Sequence, residues 1–197
     1  AECNARIAAA NLPTLNKSLP QLWTDHMRNP TQNPNLKRHD PADDIYIATF
    51  IRATYSRWQL FELLVDFWHN HFNVYAWDWA YAMATWVHYD RDVIRAHALG
   101  NFRAMLEAVA KSPAMLYYLD NYISQGAYFN ENWARELMEL HTLGAENYLG
   151  TADPTTVPND PVSGLHIGYV DNDVYDTARC FTGWRVNNGQ SGAPGND

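Results

Sequence analysis

Apolar positions recur three and four residues apart along most of this chain, and over no convincing length do they alternate in the two-residue rhythm of a strand. The first forty residues are the least periodic. Pro13, Pro20, Pro30 and Pro34 punctuate short apolar runs and Pro41 closes them, which predicts a wrapping segment over 1–40 with one helix near 20–28. From Asp43 to about Val74 the helical pattern runs without an internal Pro or Gly, predicting a central helix, divided in two near Ser56. A further helix is predicted over Asp90–Leu99 with Gly100 as its stop, and Asn101 should cap the next, through Phe102, Met105 and Val109 to about Lys111. Ser112-Pro113 opens a short helix to Asp120, Pro at the first helical position being preorganised for it. A helix over 130–144 ends at Gly144, and another runs from Asp171 to Phe181.

Between these last two, residues 145–170 hold several Pro and Gly positions and little periodicity, so they read as a long loop insertion. Residues 185–197, mostly Asn, Gly and Ser in their second half, read as a flexible tail. The fold class expected is all-α: an irregular multi-helix bundle with long loops, its helical domain over 41–184. No internal repeat, Gly-rich phosphate loop or nucleophile elbow is present.

Composition narrows the function classes. With 47% apolar residues, eight Trp and twelve Tyr in 197 residues, the chain can bury a core. A formal charge of −8 opposes attraction to phosphate backbones, so nucleic acid is not an expected partner. Asp, Arg or His interrupts every apolar run before the ~20 residues of a membrane span, so none is expected. Cys3 and Cys180, the two cysteines, have neither zinc nor haem-attachment spacing, and sequence leaves open whether they bridge. The start at Ala1, without Met or a secretory signal, reads as a processed or truncated product.

Candidate chemistry lies in three segments. In Asn130–Gly144, a helical rotation of ~100° per residue puts Glu131, Asn132, Arg135, Glu136 and Glu139 on one arc, and Trp133, Leu137, Met138, Leu140 and His141 on the other. In Asp66-Phe-Trp-His-Asn-His-Phe72, the stripe Glu62, Asp66, His69, Asn70 and Asn73 leaves His71 on the opposite side with Phe67 and Trp68, so a regular helix forbids joint chelation by His69 and His71. The third segment, Asp173–Trp184, carries Asp173, Asp176 and Arg179 on one face.

These segments also carry a resemblance. Phe67-Trp-His-Asn-His-Phe72, Ala98-Leu-Gly-Asn-Phe-Arg103, Ser112-Pro-Ala-Met-Leu116 with Tyr118-Leu-Asp120, Asn130–Gly144, and Asp173-Val with Ala178-Arg-Cys-Phe-Thr-Gly-Trp184 resemble, in that order, the bacterial family of domain of unknown function 1800. The likeness spans about residues 44–184. It departs from the family pattern in the loop around 145–168 and at Cys180, where a small residue is usual. It implies a mostly helical, exported protein, periplasmic or secreted, of which this chain is the central part; it implies no activity. A possible partner is therefore the missing remainder of its own domain as a separate chain, or a larger assembly.

The functional expectation is an enzyme of unassigned reaction with a His/Glu/Arg polar centre. His69, Arg135, Glu136 and Glu139 are its candidate catalytic residues, with Arg135 binding an anionic substrate. Asp66, His69, Glu136 and Glu139 are candidate ligands for a divalent or transition metal ion, the cofactor being otherwise unknown. Two alternatives stand beside it. In the first, a noncatalytic scaffold or binding subunit, the same residues form a structural network in which Arg135 pairs with Glu136 or Glu139. In the second, a haem or electron-carrier subunit, His69, His71 or His141 supplies an axial ligand.

Overall fold

A computed structural model describes residues 2–28 and 36–188. It is all-α: among the described residues there are helices, turns and isolated bridges, and no strand. Two compact units divide the chain, Ala1–Tyr118 and Leu119–Asp197.

The first unit holds seven helices among its described residues: α1 (Glu2–Ala9), α2 (Leu19–Trp23), α3 (Asp40–Tyr55), α4 (Gln59–Phe72), α5 (Ala80–His88), α6 (Phe102–Lys111) and α7 (Pro113–Tyr118). Helix α5 is its axis. Ala82, Ala84, Thr85, Trp86 and Val87 are buried, and α3, α7 and α2 pack around it. A helix apolar on all sides must be enclosed, so α5, and not the 43–74 stretch, occupies the centre. Helices α3 and α4 do divide at Ser56, as the sequence predicts, but keep Phe50, Leu60 and Leu63 exposed.

Local chemistry explains the helix ends. Ser18 and Gln21 form a reciprocal cap at α2, and the Asn101 side chain accepts the Ala104 N–H at α6. Before α7, the Ser112 hydroxyl accepts the Met115 N–H at 3.2 Å, with Pro113 at the first helical position. Asn73, with φ of 41°, closes α4 in the left-handed region that Asn tolerates.

Helix α5 does not stop at His88. It continues as a wider π-helical turn, Tyr89–Arg95, in which Tyr89, Asp90, Val93 and Ile94 are buried. A similar turn, Thr24–Arg28, extends α2. Helices α1 and α5 were not expected from sequence. In α1 the apolar stripe is too thin to bury a residue, and in α5 the apolar residues surround the helix and leave no period to read.

The second unit is built on α8 (Asn132–Glu136), prolonged by a π-helical turn over Leu137–Thr142, and α9 (Asp171–Cys180). They pack around Ala134, Tyr169, Val174 and Ala178. The π-helical turn corrects one expectation: an even 100° rotation places Leu140 on the apolar face, yet it is 54% exposed, while Trp133 and His141 are buried. The 145–170 loop is tied down. Leu149 N–H donates to Tyr169 O at 2.8 Å, Tyr169 N–H to Asn147 O at 3.0 Å, and Ile167 N–H to Pro158 O at 2.7 Å. Gly168 makes the close approach possible. Its φ is 101°, and a Cβ there would lie 2.6 Å from Asn147 O. After α9, Arg185 donates to Tyr122 O and Ser124 O at 2.7 and 2.9 Å, and Val186 is buried. The remaining part of the expected tail, 189–197, and residues 29–35 of the wrapping segment lie outside the described residues.

Among the described residues no helix is long and apolar enough to cross a membrane. Cys3 and Cys180 are both free thiols, Cys180 exposed.

Candidate active site

The first unit contains a cavity of about 470 Å³ between α3, α4 and α5, walled by Tyr46, Phe50, Trp77 and Trp86. Glu62, Asp66 and His69 of α4 supply its polar edge. They share one face of that helix because they lie four and three residues apart.

His69 is held from below. Its Nε2 lies 3.0 Å from Asp90 Oδ1, and its ring packs on Trp86 and Tyr89 at 5.3 and 5.7 Å. The other ring nitrogen, Nδ1, is buried and has no hydrogen-bond partner among the described residues. With Asp90 accepting from Nε2–H, the tautomer is fixed and the Nδ1 lone pair is the one left for chemistry.

Asp90 is 1% exposed and answers to two cations. Arg52 Nη1 approaches Oδ2 at 3.4 Å, and Arg95 contributes at longer range. Burial alone would raise its pKa, but the His69 hydrogen bond and the charges of His69, Arg52 and Arg95 outweigh it, holding the carboxyl below the ordinary range. Asp90 is therefore a carboxylate at neutral pH. Burial lowers the pKa of Arg52, and Arg95 adds repulsion, while Asp90 and Glu62 oppose both. Arg95 in turn donates from Nη2 to both oxygens of Glu62, at 2.9 and 2.8 Å, and stacks over Phe61 at 5.0 Å.

The π-helical turn explains how Asp90 reaches this position. Widening a helix by one residue per turn rotates the following side chains away from where α-helical spacing puts them, and Tyr89–Arg95 points Asp90 and Arg95 at α3 and α4.

A second polar group lies within the second unit. Arg135 donates to Glu131 at 3.2 Å and to Asp171 at 3.4 Å, stacks over Tyr148 at 5.6 Å, and Tyr148 hydroxyl donates to Asp171. This corrects the pairing expected from sequence: the guanidinium turns to Glu131 and across to α9, and not to Glu136 or Glu139. Hydrogen bonding within this group, Tyr148 foremost, raises the Arg135 pKa. Glu136 is raised too, by partial burial and by the neighbouring charge of Glu139, against the pull of Arg135. On α9, Asp173 accepts the Val170 N–H at 2.9 Å as a helix cap, and Arg179 pairs with Asp176 and lies over Phe129.

The family model for "Protein of unknown function (DUF1800)" matches residues 2–196, nearly the whole chain and beyond the 44–184 stretch in which the motifs are legible. The chain belongs to this family. No curated protein and no solved structure matches it.

For this DUF1800 protein the structure brings His69 and Asp66 to one cavity and keeps His71 away, enclosed by Phe67, Trp68 and Phe102 on the other face of α4. His141 sits against Trp133. Of these three histidines, His69 is the one at the cavity. Arg135, Glu136 and Glu139 belong to the second unit. The one group of three metal-type ligands among the described residues is His39, Asp40 and Asp43, partly exposed at the start of α3. The residues not anticipated are Asp90, Arg52 and Arg95. One signal for Asp90 was present: it is one of two acids, with Asp92, inside Trp86-Val-His-Tyr-Asp-Arg-Asp-Val-Ile94, a stretch flanked by apolar residues where a buried, unpaired carboxylate would be costly.

Proposed function

We propose that this DUF1800 protein is an exported bacterial enzyme, periplasmic or secreted, whose reaction centre is the cavity of the first unit, with His69 as proton carrier. One observation carries the reading: a histidine at a ligand-sized cavity has one nitrogen tied to a buried, ionised Asp90 and the other, buried as well, without a partner among the described residues. That is the arrangement a general acid–base histidine needs, its tautomer fixed and its ring oriented by the carboxylate behind it. The aromatic walls and modest polar edge suit a largely apolar substrate moiety.

The test is turnover on chromogenic esters, phosphoesters and glycosides. His69→Ala should lower kcat/KM on the order of 10²-fold or more with an unchanged circular dichroism spectrum. A folded His69→Ala protein with the parental rate refutes the assignment.

A metal-dependent version has its own support. Metal-binding histidines characteristically donate their second ring N–H to a carboxylate, as His69 does to Asp90, and Asp66 lines the same cavity three residues earlier. Elemental analysis of protein purified without chelators decides this: one transition metal per chain, lost in His69→Ala, supports it, and metal well below one per chain refutes it. A structural role is favoured for Arg135, whose guanidinium is already engaged by Glu131, Asp171 and Tyr148. Glu136 and Glu139 stand outside that pairing, and partial burial with the neighbouring charge of Glu139 raises the pKa of Glu136.

A further inference from the structure

A second cavity in the first unit, about 280 Å³, lies where α1 covers the end of α3, and Arg52, Arg57 and Arg95 all line it, with Asn4, Ser56 and Glu62. Its basic groups are underused. Arg52 is a mostly buried guanidinium, 18% exposed, and among the described residues the one hydrogen bond of its side chain is the 3.4 Å contact to Asp90. A guanidinium offers five N–H donors in a planar fork, so most donors of this cavity-lining residue have no partner among the described residues. Arg95 gives a single nitrogen, Nη2, to Glu62. Arg57 has no side-chain hydrogen bond or ion pair among the described residues. With Glu62 answering Arg95 and Asp90 answering Arg52, one positive charge is left over, in a chain whose formal charge is −8.

Two cations held together with few acceptors are an arrangement that an anion relieves. Arg52 and Arg95 repel each other, and burial adds to the disfavour of the Arg52 charge. An oxyanion with two or more acceptor oxygens would receive the forks bidentately, as arginine receives carboxylate and phosphate. Asn4 and Ser56 offer neutral donors at the same wall.

We infer that this cavity is a binding site for a carboxylate or phosphate group, held by Arg52 and Arg57 with Arg95 behind them. The site is separate from the His69 cavity and does not depend on His69 chemistry. The two share Glu62 and Arg95 as a common wall.

The experiment is thermal unfolding of the whole chain in inorganic phosphate and, separately, in acetate, each against sodium chloride at matched ionic strength. A millimolar site predicts a rise in Tm of about 3–5 °C at 10 mM of the preferred anion. Arg57→Gln, at an exposed position that should not disturb folding, and Arg52→Lys, which keeps the charge but removes the fork, should each abolish most of that rise. Response to phosphate alone or acetate alone identifies the anion. No rise with either anion overturns the inference, and so does a rise that persists unchanged in both variants. Because the readout is binding, its failure leaves the proton-carrier reading of His69 standing, and loss of turnover in His69→Ala leaves this site untouched.

Discussion

Replacing Asp90 by alanine tests the buried network directly. Asp90 is 1% exposed, and it accepts from His69 at 3.0 Å and from Arg52 at 3.4 Å. Removing it strands the Arg52 charge beside Arg95. Breaking a buried ion pair by deleting one partner costs about 3–5 kcal/mol. Arg52 retains 18% exposure, so water recovers part of this, while the lost His69 hydrogen bond adds about 1 kcal/mol. The expected destabilisation is about 2–4 kcal/mol. Urea unfolding followed by tryptophan fluorescence measures it, since six of the eight tryptophans (23, 58, 68, 77, 79 and 86) lie in the first unit. The double variant Asp90→Leu with Arg52→Met replaces the pair by apolar groups and should recover most of the loss, because the penalty lies in the unpaired charge and not in the absence of the bridge. The pH dependence follows in sign. A carboxyl whose pKa is depressed in the folded state stabilises above its unfolded value, ~3.9, and that contribution disappears as pH falls through the folded value. The gap between parent and Asp90→Ala should therefore be full at neutral pH and close below pH ~4. A loss under ~1 kcal/mol at pH 7, or strict additivity of Asp90→Ala with Arg52→Met, would refute the network.

Four further outcomes are expected. Glu136→Gln should stabilise the protein at pH 7, since a carboxyl with a raised folded pKa loses stability as pH rises through it; the benefit should vanish below pH ~4, and chemical denaturation at the two pH values checks it. Gly168→Ala should cost at least ~1–3 kcal/mol, from a strained φ and a Cβ against Asn147 O, and should speed proteolysis within 145–170. Trp133→Ala, emptying a site 2% exposed, should cost about 3–5 kcal/mol in urea unfolding followed by far-ultraviolet circular dichroism. Cys180, exposed, should react with a thiol-specific disulfide reagent faster than Cys3, giving two labelling phases by mass spectrometry.

Much of the helical layout is readable from residues whose conformational preferences are strong. Asn101, Ser112-Pro113 and the break at Ser56 stand where the sequence predicts, because caps and Pro act within one turn of chain. The stripe on α4 is legible for the same reason: α4 is a regular helix, so His69 and His71 diverge as spacing demands. What escapes is what depends on departures from that spacing. Leu140 is misplaced by a π-helical turn, and Asp90 enters the site through another. Arg135 finds Asp171, thirty-six residues away, because the fold brings α9 beside α8, and no local rule ranks that partner above Glu139.

The π-helical turn at Tyr89–Arg95 is equivalent to one residue inserted into an ordinary helix, and such turns are held against the helix's own preference by what they place. Deleting a single residue within it would let the ladder relax to α-helical spacing and shorten the chain by one, while turning Asp90 or Arg95 away from α3 and α4. The helix would improve and the cavity would lose the acid beneath His69. In this region a gap of one residue would thus be a larger event than many substitutions, and it would mark a chain that has kept the architecture but given up the His69–Asp90 pairing on which the proposed chemistry rests.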